Sequence, residues 1–182
     1  MLPNDPHIYV MAMFWLPEEL LERRVREDRI PYDLWKDQGY LRTCEGNKVR
    51  QKDVTDWFLE VQNDLDCYIY RGGYDAWSAS YWVDEMQETF GKGVFTPVQQ
   101  TMKVLSLPMK QLGADFDSKL IVYNNNPVLK WCLANTGIVE DKNGNIKPNK
   151  TSKARKRIDG LAALLDAFVV FQDCQDDYKS ML

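Results

Sequence analysis

The chain has 182 residues, of which 45% are hydrophobic and 27% are charged, and its formal net charge is −4. This composition is typical of one globular domain and excludes a disordered acidic protein. The longest apolar stretch, residues 8–16, is too short to span a bilayer and lacks the flanks of a signal peptide, so no membrane partner is predicted.

The patterns of apolar residues predict strands and helices that alternate along the chain. Strands are predicted at 8–15, 40–43, 68–74 and 94–98, and a hairpin at 138–147 around the Asn143-Gly144 turn. Helices are predicted at 18–27, 53–63, 77–90, 105–116, 127–135 and 154–171. The predicted fold class is therefore α/β, in a single domain spanning residues 1–182.

Histidine and cysteine chemistry is restricted by the composition. The four cysteines form no CxxC pair and indicate reduced thiols, while a single histidine, His7, leaves no basis for a Ser-His-Asp triad or a histidine cage. Catalysis in this chain would have to use carboxylates, lysines or hydroxyls.

One segment is strongly basic although the chain as a whole is acidic. Seven basic residues and no acid lie between positions 142 and 157, namely Lys142, Lys147, Lys150, Lys153, Arg155, Lys156 and Arg157. Such a run is most often a solvated loop, but it also suits contact with a polyanion.

Three aspartates are candidate ligands. Asp75 follows a predicted strand and precedes a helix, a position that suits either a helix cap or a functional carboxylate at a strand end. Asp159 and Asp166 lie seven residues apart on one flank of the last helix, beside its predicted apolar stripe. Both could point to solvent, but Asp166 interrupts an apolar run, where a carboxylate needs a partner or a metal.

A basic segment leading into a helix that bears acids suits a metal-dependent site acting on phosphodiesters. Carboxylates would hold Mg²⁺ or Mn²⁺, and the lysines and arginines would hold the nucleic acid strand.

Seven short segments in order along the chain resemble the nuclease domain at the C-terminal end of tailed-bacteriophage terminase large subunits. They are Phe14-Trp15-Leu16-Pro17-Glu18-Glu19, Pro31-Tyr32-Asp33-Leu34-Trp35, Gly39-Tyr40-Leu41 through Gly46-Asn47, Tyr74-Asp75-Ala76-Trp77, Asn126-Pro127-Val128-Leu129-Lys130-Trp131, Gly144-Asn145-Ile146-Lys147-Pro148 and Arg157-Ile158-Asp159-Gly160-Leu161-Ala162-Ala163-Leu164.

The resemblance implies an RNase H-like mixed sheet flanked by helices, and cleavage of concatemeric viral DNA by two metal ions during genome packaging. It implies double-stranded DNA, the terminase small subunit and the portal as partners, and the cytoplasm of the bacterial host as the location. Of the family's three catalytic aspartates, the second matches Asp75 and the third matches Asp159, whereas the family shows no acid at Asp166.

The family's first catalytic aspartate lies on a strand that would precede position 8, and no such strand is recognisable here. No GxxxxGK[ST] phosphate loop occurs either, so the ATPase domain is expected to lie outside this chain. The expected consequence is an exposed strand edge that self-associates or accepts a complementing strand. Three functions stay open: a nuclease domain, a catalytically incomplete fragment that binds DNA, and a module that binds other proteins.

Overall fold

The computed structural model describes residues 5–77, 80–150 and 157–181. The predicted DNA contacts Lys153, Arg155 and Lys156 lie outside the described residues. The strands are β1 (Ile8–Tyr9), β2 (Trp15–Pro17), β3 (Arg42–Cys44), β4 (Gly72–Asp75), β5 (Phe95–Val98), β6 (Ile121–Val122), β7 (Thr136–Glu140) and β8 (Ile146–Lys150). The helices are α1 (Leu21–Asp28), α2 (Tyr32–Asp37), α3 (Gln51–Asp64), α4 (Ser80–Phe90), α5 (Met102–Asp117), α6 (Pro127–Asn135) and α7 (Asp159–Met181).

The strands pair two by two within the described residues. β1 pairs with β6, β2 with β3, and β4 with β5, all in parallel, whereas β7 and β8 form an antiparallel hairpin. In the β4–β5 pair, Asp75 lies opposite Val98, so both strands end at the same level. This arrangement confirms the α/β class, while the single RNase H-like mixed sheet stays a prediction.

The last helix connects the parts of the fold because it packs on strands from both halves of the chain. Its apolar stripe lies in the largest core cluster, with Leu161, Leu165 and Phe168 buried against α5, β5 and β6. Residues of the N-terminal strand segment pack on the same cluster. The stripe predicted from helical spacing is therefore confirmed, and the helix that carries Asp159 and Asp166 is anchored in the core.

Helix boundaries were predicted well where capping groups lie close in the sequence. Helix α6 spans the predicted residues, because the Asn126 carboxamide oxygen accepts hydrogen bonds from the backbone N–H groups of Val128 and Leu129, both at 3.1 Å, and Pro127 occupies the first turn. The predicted hairpin is also present, with Gly144 at φ 76° in its turn.

The predicted strands were too long, and one helix was missed. Residues 8–15 form two short strands rather than one, 40–43 are replaced by Arg42–Cys44, and 68–74 by Gly72–Asp75. The short helix α2 follows Pro31, where the sequence predicted only a break. It forms because the rings of Tyr32, Trp35 and Trp131 pack against one another at centroid distances of 5.7 to 5.9 Å. The contact with Trp131 is tertiary and leaves no signal in the local sequence.

Candidate active site

Strand β4 runs along α7 in contact with its backbone. The Tyr70 ring lies 6.0 Å from the Tyr178 ring near one end of the helix. Further along, a Cβ added to Gly73 would lie 2.5 Å from the Asp166 carbonyl oxygen and 2.7 Å from Val170 Cγ2. Glycine in a strand permits such a close approach, as the sequence predicted. The strand therefore runs toward the N-terminal end of α7. Asp75, two residues after Gly73, lies nearer to that end than the contact between Gly73 and Val170 does.

Asp75 and Asp166 are the two predicted ligands that the fold brings near one another. The Asp166 side chain is buried, with 4% of its surface exposed, and its Oδ1 accepts a 2.7 Å hydrogen bond from Gln100 Nε2. Burial raises the pKa of Asp166 from 3.8 to about 6; the Gln100 hydrogen bond opposes this shift and the negative charge of Asp75 adds to it. The sequence expectation that this carboxylate needs a partner is therefore met by Gln100.

The carboxylate of Asp75 is held at the end of its strand. Its Oδ1 accepts a 3.0 Å hydrogen bond from the backbone N–H of Trp77, which closes a turn after β4. The indole of Trp77 is almost fully exposed beside it. Asp75 thus lies at the carboxyl end of a parallel strand pair, where functional groups gather in open α/β sheets.

Asp159 occupies a different environment from Asp166 although both lie on the same flank of α7. It is exposed in the first turn, about 10 Å along the helix axis from Asp166, where the helix dipole favours a carboxylate. Asp159 lines a cleft of about 340 Å³, together with Phe14, Trp131, Arg157 and other residues. The next residue, Gly160, packs so closely that a Cβ would lie 3.0 Å from Phe14 and 3.1 Å from Cys132.

The cleft carries both charges and buried polar groups. The Tyr32 hydroxyl donates a 3.1 Å hydrogen bond to Asp28 Oδ2. Burial raises the pKa of Tyr32, the Asp28 carboxylate adds to the shift, and the positive charge of Arg157 acts in the opposite direction. Burial also raises the pKa of the Cys132 thiol, to which the charge of Asp159 contributes. Arg157 is therefore close enough to influence the floor of this cleft.

The hairpin spreads the remaining predicted basic residues along its length. Lys142 is exposed at the turn, Lys147 is half-buried and Lys150 is exposed at the base. Lys150 lies opposite Thr136, and the preceding residue, Asn135, donates a 3.2 Å hydrogen bond to the backbone carbonyl of Arg157. The base of the hairpin is thus adjacent to the N-terminus of α7, whereas its turn lies several residues farther away.

Two polar residues near these sites were not found from sequence. Gln100 contacts Asp166 across 66 positions, and Lys110 Nζ donates a 2.7 Å hydrogen bond to the carbonyl of Gly144 at the hairpin turn. Neither residue belongs to a recognisable motif, so only the tertiary structure identifies them. Within residues 5–77, 80–150 and 157–181, no three His, Cys, Asp or Glu side chains group closely enough to hold a metal ion.

No helix in the described part of the chain has the length and apolar character needed to cross a membrane.

Comparison with known proteins identifies the family to which the chain belongs. Residues 1–174 match the family described as terminase large subunit, endonuclease domain. The sequence is 31% identical over 159 residues to the terminase large subunit of Enterobacteria phage HK97, covering 85% of this chain and 30% of that protein. It is 23% identical over 176 residues to Protein YmfN of Escherichia coli strain K12, covering 91% of this chain and 37% of that protein.

A solved structure shows the same architecture. The crystal structure of the HK97 bacteriophage large terminase superposes with a TM-score of 0.74 and 28% sequence identity, over 86% of this chain and 32% of that one. The chain thus spans about a third of the length of these relatives. From the family match over nearly its whole length, the chain belongs to the terminase large subunit endonuclease domain family.

Proposed function

We propose that this chain is the nuclease domain of a terminase and that it cleaves phosphodiester bonds of concatemeric viral DNA during genome packaging. The observation that carries the proposal is the pairing of Asp75 with the buried Asp166 at the end of the parallel strands β4 and β5. A buried carboxylate beside a second, half-buried one is costly unless a cation or a proton offsets the charge. Membership in an endonuclease family supports a cation at Asp75, and the extension of that site to Asp166, where the family shows no acid, rests on the burial and position of Asp166 alone.

The candidate side chains are of the chemical type that binds Mg²⁺ or Mn²⁺. All the candidate ligands are carboxylate oxygens, which these hard cations prefer, and one of them is held rigidly by burial and by Gln100. Asp75 and Asp166 would hold one cation, and Asp159 would contribute from the open end of α7. Two cations held there would supply the chemistry of a two-metal site, a lower pKa for the attacking water and positive charge beside the leaving oxygen.

The basic residues near the N-terminus of α7 are proposed to hold the DNA backbone. Arg157 lines the same cleft as Asp159, and Lys150 lies at the adjacent base of the hairpin. Lys147 extends the positive charge along the hairpin. The same role is proposed for Lys142 and for the three basic residues outside the described ranges. Lysine and arginine contacts to phosphates position a duplex without reading its sequence.

The remaining features of the proposal follow from family membership. We propose one nuclease-like domain over residues 1–182 in which the strand pairs belong to an RNase H-like mixed sheet, supported by the packing of α7 on several of them. The terminase small subunit and portal are proposed as partners, and the host cytoplasm as the location. Self-association or complementation by a further strand is also proposed, since β4 pairs with β5 alone within the described residues.

A nicking assay tests the cleavage proposal. Supercoiled plasmid incubated with the protein and Mn²⁺ should be nicked, and EDTA should stop the reaction. Asp75→Asn or Asp159→Asn should lower the nicking rate at least about 100-fold, because each removes a metal ligand. Asp117→Asn, the same change at an exposed position on α5, should leave the rate unchanged. Nicking that survives both site variants would refute the assignment.

DNA binding without metal distinguishes the alternatives. If about three to five basic residues contact phosphates, log K should fall with log salt with a slope of roughly −3 to −4.5 on duplex DNA. The double variant Lys147→Glu with Lys150→Glu should flatten the slope, whereas Lys92→Glu with Lys179→Glu makes the same charge change elsewhere and should have less effect. Binding without nicking would favour an incomplete fragment that binds DNA. Absence of both would favour a protein-binding module.

A further inference from the structure

We propose that Gln100 is a positioning residue that holds the Asp166 carboxylate in the orientation needed to share a divalent cation with Asp75. The inference rests on the proposed function, because it assumes that these two carboxylates bind the metal. It assigns a role to a residue that belongs to no family motif identified in the sequence.

The side-chain amide of Gln100 is fixed by two hydrogen bonds. Its Nε2 donates to Asp166 Oδ1 at 2.7 Å and to the backbone carbonyl of Val98 at 3.3 Å. A primary amide has two N–H donors, so both are used and the nitrogen must face the carboxylate. Gln100 therefore ties Asp166 to the end of β5.

The contact with Val98 places this pair at the level of Asp75. Val98 lies directly opposite Asp75 in the parallel pairing of β4 with β5. One short chain of contacts thus runs from Asp75 across the strand pair to Val98, then through Gln100 to Asp166. The spacing of the two carboxylates depends on this link and on the close contact of Gly73 with the backbone of α7.

The hydrogen bond leaves one carboxylate oxygen available. Oδ1 of Asp166 is occupied by Gln100, and the described residues provide no hydrogen bond to Oδ2. Only 4% of the surface of Asp166 is exposed, so few positions are left from which a water molecule or a cation could contact Oδ2. A carboxylate oriented through one oxygen and open at the other is the arrangement in which a neighbouring amide fixes a metal ligand.

A second pair of the same residue types provides a matched control. Gln111 Nε2 donates a 2.9 Å hydrogen bond to Asp115 Oδ1, and Asp115 is buried with 8% of its surface exposed. This pair lies one turn apart within α5 and takes no part in the β4–β5 strand end. A glutamine that only stabilises a buried aspartate should behave alike at both positions.

The test measures Mn²⁺ affinity, by electron paramagnetic resonance of free Mn²⁺, in Gln100→Leu and Gln111→Leu. Removal of an amide that orients a metal ligand typically weakens binding 10- to 100-fold, so Gln100→Leu should weaken Mn²⁺ binding by at least about 10-fold. Gln111→Leu should change it less than about 2-fold. Thermal unfolding in EDTA reports the stability of each variant, and Gln100→Met, which keeps the chain length, replaces the leucine variant if that one does not fold.

Each outcome decides between the two proposals. Unchanged Mn²⁺ affinity in Gln100→Leu, with affinity lost in Asp75→Asn, overturns the role of Gln100 and leaves the metal site standing. Equal losses in both glutamine variants would show a structural role only and would also overturn the inference. Unchanged affinity in Asp75→Asn would remove the proposed metal site itself, and the inference with it.

Discussion

Asp166 and Asp159 are the same residue type on the same flank of one helix, two turns apart, yet the fold treats them differently. At Asp166 the strand β4 lies directly on the helix, Gln100 holds the carboxylate, and burial raises its pKa to about 6. At Asp159 the helix begins, the carboxylate is exposed, and a cleft opens beside it. The comparison shows that helical spacing determines which side chains share a face of the helix. Packing determines the free-energy cost of keeping each carboxylate ionised.

The largest expected effect comes from closing the space between β4 and α7. In Gly73→Ala the new Cβ would lie 2.5 Å from a backbone oxygen, which cannot rotate away as a side chain can. We expect the free energy of unfolding to fall by about 3 kcal/mol, as in other overpacked cores. Urea denaturation measures it.

Gly113→Ala is the control for this substitution. Gly113 lies within α5, and a Cβ there meets no atom within 4 Å. The same change should raise stability by about 0.5 to 1 kcal/mol, because alanine favours a helix over glycine. Equal effects at the two glycines would contradict the close contact of β4 with α7.

The next effect comes from removing the charge of Asp166 in the metal-free protein. A pKa raised from 3.8 to about 6 corresponds to at most about 3 kcal/mol of destabilisation when the group is ionised. Asn keeps an oxygen that accepts from Gln100, so Asp166→Asn should raise the free energy of unfolding at pH 7 by about 2 kcal/mol. The measurement is urea denaturation in EDTA.

The pH dependence of this difference has a defined sign. Because the folded-state pKa lies above the unfolded value, the protonated Asp166 favours folding below about pH 4, and that contribution is lost as pH rises through about 6. The advantage of Asp166→Asn should therefore shrink toward zero at pH 4. An advantage that stays constant between pH 4 and 7 would show that charge is not its cause.

The smallest effect, and one of opposite sign, is expected at Asp159. This carboxylate lies in the first turn of α7, where it interacts favourably with the helix dipole. Asp159→Asn should therefore lower the free energy of unfolding at pH 7 by about 0.5 kcal/mol in EDTA. If both asparagine variants shift stability in the same direction, the contrast between the two ends of the helix is wrong.

The sequence predicted those parts of the molecule that depend on neighbouring residues. The Asn126-Pro127 cap, the Asn143-Gly144 turn and the apolar stripe of α7 are all local patterns, and all are confirmed. The placement of Asp75 at a strand end and of Asp159 on the last helix is confirmed for the same reason, although the predicted helix start at 154 lies outside the described residues.

The sequence could not predict features that arise from contacts between distant segments. Gln100 and Asp166 are 66 residues apart, and α2 is stabilised by Trp131, about 100 residues further along the chain. Helical spacing placed Asp159 and Asp166 on one flank of α7 but did not indicate that β4 covers only Asp166. Burial, and with it the raised pKa of Asp166, depends on tertiary packing alone.

The contact of Gly73 with the backbone of α7 has a mechanical consequence. Gly73 meets a backbone oxygen and the Val170 side chain of the helix directly, so little space remains at this point for one element to shift toward the other. The separation of the Asp75 and Asp166 backbones is thereby set by direct contact between strand and helix, and Gln100 then orients the Asp166 carboxylate. A displacement of the last helix toward the strand would therefore press on Gly73 and move the end of β4 that carries Asp75.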